Sequence, residues 1–337
     1  MKDAKLSRRF AALWSAFDYA FWRLLKAMPS MLLIVVTTFV LLRLASGNAT
    51  DAMLGDTREA DPALVAQLSA QFGLDQSLLT QFHRYVVRLV QFDFGWSFAH
   101  ERPVAEVLHE RLGTTLLLAS GALFLAFTLG SALGTLAARR AGSFLDHAVK
   151  AFGFVLHGMP SYFLGLMLIA VFALELHWLP EGGLETPTQP STGVAHALDV
   201  GWHLLMPMMT LTLIYLSHYA RRMRASVLQV GRHDHVRTAR AKGVAGVRLT
   251  RDHIVRNALL PIVAPLALQF SMMLSAAVVV ESLFSLPGLG QLAVESVVRR
   301  ELHTLMAVIF LCALLVIGVR FWIDVLHAAL DRRIKHR

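Results

Sequence analysis

Fifteen histidines and a scatter of carboxylates are the obvious material for chemistry in this 337-residue chain. A helical zinc site needs two imidazoles and a base on one face, as in H-E-x-x-H. His109-Glu110 lacks the second histidine, and His233 and His235 flank a basic polar stretch where a solvated face accounts for them. His157, His203 and His218 fall within or at the edge of apolar runs, where an ionisable group is a functional candidate by default. A histidine near the end of such a run also serves as an interfacial or hydrogen-bonded residue, so both readings stand. No G-x-x-x-x-G-K followed by Ser or Thr occurs, and Lys242-Gly243 is not one. The chain has no phosphate cradle of that kind.

Three further features invite a role. His157-Gly158-Met159-Pro160-Ser161 places a proline where it frees backbone groups inside an apolar run, with small neighbours that leave room for a cavity. Glu281 stands at the end of another run, where it either gates or contacts a substrate amine or marks where water begins. Gly130-x-x-x-Gly134 is a small-residue face suited to close helix packing, within the chain or against a partner. Arg320 and Asp324 read as an i, i+4 ion pair. Cys312, the single cysteine, reads as a packing residue.

The elements that hold these residues are membrane spans. Hydrophobic residues make up 55% of the chain and charged ones 16%, and the apolar residues gather into blocks too long for strands. Charge-free runs predict six spans, over 27–42, 112–138, 151–174, 200–220, 257–280 and 302–319. The first and last are short and need snorkelling flanks or tilt. The alternating ten-residue segments of a barrel are not visible.

Lys and Arg give an orientation. Six lie in 1–26, three between the second and third runs, ten in 221–256 and four in the tail, against eight on the other side. The positive-inside rule then predicts a multi-pass protein of the cytoplasmic (inner) membrane with both termini cytoplasmic. Topology and anionic lipid headgroups account for the net charge of +9 without nucleic acid. The first run has a basic front and small residues after it, but 26 residues precede it, so it is expected to stay as a span.

Along the chain, 1–26 reads as an amphipathic lead-in, with Phe10, Leu13, Trp14, Phe17, Phe21 and Leu24 at helical spacing. The first span occupies 27–45. An external segment, 46–110, carries two amphipathic helices. One starts at Asp61-Pro62 with Leu64, Leu68 and Phe72 on a face; the other bears Leu78, Phe82, Tyr85 and Leu89. Both bury too little to stand alone, so a small cap on the membrane domain is expected. The main transmembrane domain spans 111–327, and 328–337 is a basic tail. The loop 178–202 reads as irregular.

The insert 234–261, DHVRTARAKGVAGVRLTRDHIVRNALLP, sits between two apolar runs and must lie in water. Thr238-Ala239-Arg240-Ala241-Lys242-Gly243 reads as the end of a short helix with cations in its last turn and Gly243 as its stop. A second helix is expected over 247–260, with Pro261 opening the next span. This helix–Gly–helix arrangement resembles the cytoplasmic coupling loop of ABC-transporter permeases, and TARAKG followed by RNALLP resembles the dipeptide/oligopeptide/nickel branch. Phe72-Gly73-Leu74-Asp75, Asp93-Phe94-Gly95-Trp96-Ser97, Pro103-Val104 with Arg111-Leu112, and Glu281-Ser282-Leu283-Phe284 with Pro287-Gly288-Leu289-Gly290 and Arg299-Arg300 are similar to further motifs of that family, in the same order. Ala45 to Thr50 departs from the family's PGDP.

The resemblance implies an all-α, six-span permease subunit with the type I importer fold, not itself an enzyme, passing peptides or peptide-like solutes. Its implied partners are a second homologous permease, two ATPase subunits that use ATP and Mg, and a soluble substrate-binding protein; the chain itself is expected to bind no cofactor and no metal. Thr238 to Gly243, Asn257 and Pro261 would belong to the ATPase-coupling loop (225–260 and its edge). His157, Pro160 and Glu281 would lie by the translocation path, and Pro287, Gly288 and Gly290 would form an external gate or loop. Small residues around Arg240 favour a protein groove over lipid, which needs only charge. The rival is an intramembrane His/Glu-dependent enzyme or metal-handling protein, which needs ionisable groups at matching depth; the sequence offers scattered singles. An autonomous secondary transporter would show midplane carboxylates and an inverted repeat, and neither is seen.

Overall fold

The computed structural model describes residues 25–43, 76–186, 192–263 and 265–330, without the side chains of His157 and 324–330. Most of the lead-in, the helix expected at Asp61-Pro62, the Asp324 side chain and the end of the tail lie outside the described residues.

The charge-free runs become helices. They are α1 (Leu25–Arg43), α3 (Val104–Arg139), α6 (Val194–Val230), α9 (Leu266–Leu283) and α11 (Leu302–Leu330), each long and apolar enough to cross a membrane. A bent pair, α4 (Phe144–Gly158) and α5 (Ser161–Leu168, then a π-helical turn Ile169–Glu175), makes a sixth if counted as one span. Its two arms meet at 106° around Pro160, which has no N–H to carry the helix ladder across the break. α3 and α6 have 36 and 37 residues. At 1.5 Å per residue each is about 54–55 Å long, well beyond a hydrocarbon core of about 30 Å. Their ends therefore stand outside the apolar layer.

The chain divides into two units. The first holds the described residues up to Arg111 together with Leu292–Ile317. In it α2 (Leu78–Val90) starts at Ser77, whose hydroxyl accepts the Thr80 N–H. One face packs Phe82, Tyr85 and Leu89 against Met31, Val35 and Phe310, and the Tyr85 hydroxyl donates to Thr38 Oγ1 at 2.9 Å. Leu78, expected on that face, is exposed in the first turn. After α2, β1 (Trp96–Ser97) pairs with β2 (Arg102–Pro103) in a minimal antiparallel hairpin. Glu301 holds it in place: its carboxylate accepts from the Ser97 hydroxyl at 2.9 Å and from the Ala99 N–H.

The second unit is Leu112–Gln291 with the residues after Ile317. Leu118, Ala122 and Ala126 of α3, Leu211, Tyr219 and Met223 of α6, and Met273, Ala277 and Val280 of α9 form one buried core. The Gly130–Gly134 face packs within the chain, on α6. A Cβ on Gly130 would lie 2.7 Å from Tyr219 Cβ, and one on Gly134 would lie 2.9 Å from Met223 Cβ. The fifth span differs from expectation. Residues 256–263 form a separate helix, α8 (Arg256–Val263), with Pro261 inside it, and the span proper is α9. Pro265, at the N-cap of α9, has no N–H to join the two, so the break falls there and not at Pro261.

Candidate functional site

After α6 the chain turns at Gly231 and Arg232 and enters α7 (Asp234–Ala241), with His233 at its N-cap and Asp234 in the first turn, where a carboxylate suits the positive helix end. Val236 and Ala239, three apart, are buried in the core with Val227, Val230, Leu249 and Ile254. Arg237, Thr238, Arg240, Ala241 and Lys242 are exposed. One helix face is anchored and the other offers a cationic ridge with small residues between the charges.

Gly243 ends this helix by backbone geometry. Its φ is +87°, the left-handed region that a Cβ disfavours. There its N–H donates to the Arg240 carbonyl at 3.0 Å, and the Val244 N–H donates to the Ala239 carbonyl at 3.1 Å. This pair of bonds is the Schellman closure, which satisfies the last carbonyls and turns the chain sharply.

The chain returns through Gly246–Arg248, a π-helical stretch Leu249–Val255, and α8. Asn257 Nδ2 donates to the His253 carbonyl at 2.9 Å and lies 3.3 Å from His235 Nε2, bridging α8 to α7. The Ser226 hydroxyl donates to the Ala258 carbonyl at 2.9 Å, fixing α8 to α6. Arg251 beside Asp252 holds that carboxyl below the usual range. Pro261 is exposed on α8 and touches none of these bonds.

Asp146, in the first turn of α4, locks the same end of the unit and was not anticipated from sequence. Its carboxylate is fully buried and receives Arg224 Nε at 2.5 Å and Nη2 at 2.8 Å, the Gly142 N–H at 2.9 Å and Lys150 Nζ at 3.0 Å. The sequence clue was Ser143 three residues ahead, an N-cap whose hydroxyl accepts the Asp146 N–H. α4 is thereby pinned to the stretch of α6 that leads into α7.

Glu281 does not meet solvent. It is fully buried near the end of α9, and its oxygens accept from the Thr115 hydroxyl at 2.7 Å, the Gly290 N–H at 2.7 Å and the Gln291 N–H at 3.2 Å. Thr115 Oγ1 in turn accepts the Leu289 N–H at 2.8 Å. Glu281 is thus the anionic cap of α10 (Leu289–Val298). Gly288 and Gly290 are buried against it, each leaving no room for a Cβ, and Pro287 is half-buried beside them. The structure brings these four expected residues together as one packed corner.

The remaining candidates stay apart. His157 lies in the last turn of α4, its side chain outside the description, and Pro160 is exposed at the bend. His203 is buried, with Nδ1 2.9 Å from the Asp199 carbonyl oxygen, and the His218 ring lies tilted beside Tyr215 at 6.2 Å between centroids. Among the described residues no three His, Cys, Asp or Glu side chains group as metal ligands do.

Residues 130–336 match the family of binding-protein-dependent transport system inner membrane components, and 17–119 match the N-terminal family of the same membrane component. The di/tripeptide transport system permease protein DppB of Pseudomonas aeruginosa is 34% identical over 323 residues, covering 92% of this chain and 96% of the relative. The glutathione transport system permease protein GsiC of Salmonella paratyphi A is 34% identical over 321 residues, covering 95% and 99%. Inward-facing MetNI methionine ABC transporter shares the fold at a TM-score of 0.54 and 18% identity, over 67% of this chain and 97% of its own.

Proposed function

This chain belongs to the binding-protein-dependent transport system inner membrane component family, and from that premise we propose that it passes peptides or peptide-like solutes. It is a multi-pass inner-membrane permease subunit of an ABC importer, working with an ATPase and a binding protein, and is not an enzyme. The intramembrane enzyme reading has no support among these relatives.

The peptide class rests on relatives named for di/tripeptide and glutathione transport. In the proposed assembly a second, homologous permease completes the path, and two ATPase subunits bind ATP and Mg outside this chain. Both termini and the 234–263 segment face the cytoplasm, which the surplus of Lys and Arg on that side supports.

The observation that carries the coupling role is α7. Its buried Val236 and Ala239 tie it to the core, and its exposed Thr238, Arg240, Ala241 and Lys242 form a ridge for a groove on the ATPase. A helix fixed on one face and closed at Gly243 moves as a lever when the ATPases approach each other. Asn257 and Ser226 pass that motion to α8 and α6. Alternating access then needs only that the nucleotide states prefer different permease conformations. The α4–α5 bend at Pro160 is the proposed place where the path meets irregular backbone.

The test is reconstitution of the permease with its ATPases and binding protein in proteoliposomes, with ATP-driven uptake of labelled dipeptides, oligopeptides and glutathione. Uptake of one of these above a control without ATP supports the reading. An assembly that hydrolyses ATP in response to its binding protein yet takes up none of them overturns the peptide class. A permease that recruits no ATPase overturns the role of α7.

A further inference from the structure

At the end of the spans that carries α7, a cleft of about 270 Å³ opens between the last turns of α3 and α6 and the π-helical stretch. Ala138, Val227, Leu228 and Ile254 line its apolar floor, and Arg139, Arg232 and Thr250 its polar edge. Among the described residues no carboxylate lines it. Both arginines are exposed, and neither makes an ion pair or side-chain hydrogen bond among the described residues.

Charge identifies the kind of occupant. The carbonyl ends of α3 and α6 close beside the cleft, and each helix end carries roughly half a negative charge. Two guanidiniums less those two ends leave about one net positive charge. The nearby acids do not cancel it, since Asp252 is held by Arg251 at 2.8 Å and Asp234 faces Arg237 at 3.7 Å. One positive charge over an apolar floor, where two apolar spans end, matches a singly charged phosphodiester with hydrocarbon attached.

Size and charge narrow the occupant further. At about 270 Å³ the cleft has room for a phosphate and glycerol. The basic lead-in of this same chain, with Lys2, Lys5, Arg8 and Arg9, would be repelled by the arginines.

We propose that this cleft is a binding site for an anionic phospholipid, with Arg139 and Arg232 on the phosphate and the first acyl methylenes on Val227, Leu228 and Ile254. A lipid seated there touches α3, α6 and the return from α7 at once. The site rests on the membrane location of the chain and not on the peptide reading.

The test is native mass spectrometry of the detergent-purified transporter assembly, titrated with dioleoylphosphatidylglycerol or dioleoylphosphatidylcholine, on wild type and R139Q/R232Q. R299Q/R300Q, which removes two exposed arginines elsewhere, serves as the matched control, and R139K/R232K keeps the charge. The expected result is preference for the anionic lipid in wild type, weakened about thirtyfold in R139Q/R232Q, or roughly fivefold per interfacial arginine. The control should be unchanged and the lysine variant largely restored. Inorganic phosphate at millimolar concentration should not displace the lipid; displacement would mark a free-phosphate site and overturn the proposal. Equal retention of the two lipids, or equal loss in both glutamine variants, also overturns it. So does loss of the ATPase from R139Q/R232Q with lipid binding intact, which would make the cleft a protein interface.

Discussion

The carboxylate of Glu281 accepts the backbone N–H of Gly290 at 2.7 Å, and a Cβ on Gly290 would lie 2.9 Å from that same oxygen. Acid and glycine therefore constrain each other. With Thr115 they fix three elements, α3, α9 and the start of α10, at one buried point. The residues expected to form an external gate or loop are packed around this point.

Glu281→Ala is expected to be the most damaging change at this joint. It leaves the Gly290 and Gln291 N–H groups and the Thr115 hydroxyl without their acceptor, at about 1–3 kcal/mol for each buried donor. Glu281→Gln keeps one acceptor oxygen but loses the charge that favours the helix N-terminus, and should fall between wild type and Ala. Gly290→Ala should destabilise through the clash. Thermal unfolding of the purified protein orders the three; equal stability of Glu281→Ala and wild type would sink the account.

Gly243 gives a conformational prediction separate from packing, because among the described residues nothing lies within 4 Å of where its Cβ would stand. Any cost therefore comes from φ = +87°. Residues other than Gly pay about 1–2 kcal/mol there, and Asn less. Gly243→Ala should reduce the population with a correctly closed α7 by about five- to thirtyfold relative to competing loop states. Gly243→Asn should be milder. The readout is ATP hydrolysis stimulated by the binding protein, with thermal stability as control; equal activity of all three would remove the Schellman turn from coupling.

Legibility from sequence followed the range of the interactions. Gly243 could be read because a short basic helix and its stop are neighbours in the chain, and Pro160 because a proline lacks the N–H that would carry a helix ladder past it, although Pro207 and Pro261 are both accommodated inside helices. The stripe of Phe82, Tyr85 and Leu89 was readable for the same reason, although Leu78 at its start fell outside the packed face. Glu281 could be singled out but not understood, since its partner Thr115 is 166 residues away. Asp146 and Arg224, 78 residues apart, were hidden in the same way. The hairpin at Trp96 has strands of two residues, too short for alternation to show. Pro261 misled because a proline in a helix of eight residues looks the same in sequence as one that starts a span.

Acid should loosen the hairpin at its tie to Glu301. Burial alone would raise this carboxyl, but the Ala99 N–H, the Ser97 and Thr304 hydroxyls and the nearby His100 outweigh it and set its pKa below the ordinary 4.5. A depressed carboxylate contributes stability that is full above the unfolded value and is lost as pH falls through the folded one. The tie is thus expected to be intact at neutral pH and to weaken only below about pH 4.5. Glu301→Gln should show weaker hydrogen-exchange protection at residues 97–99 already at pH 7, with little further change on acidification. Wild-type protection that already fades between pH 7 and 5 would overturn the assignment of the tie to Glu301.

Asp146 and Arg224 pose a different question, whether a buried pair stabilises or only specifies. Asp146 is fully buried and Arg224 about one-fifth exposed. Removing the acid alone leaves Arg224 and Lys150 without their shared partner, and breaking such a pair costs about 3–5 kcal/mol, nearer the lower figure because Arg224 keeps some water. Replacing both members with apolar residues removes the stranded charge, so Asp146→Leu/Arg224→Met should recover most of the loss in thermal unfolding. Its transport, however, should stay low. The bidentate geometry sets the angle at which α4 meets the part of α6 that leads into α7, and apolar packing does not reproduce that direction. A double variant that regains both stability and transport would show the pair to be dispensable for positioning.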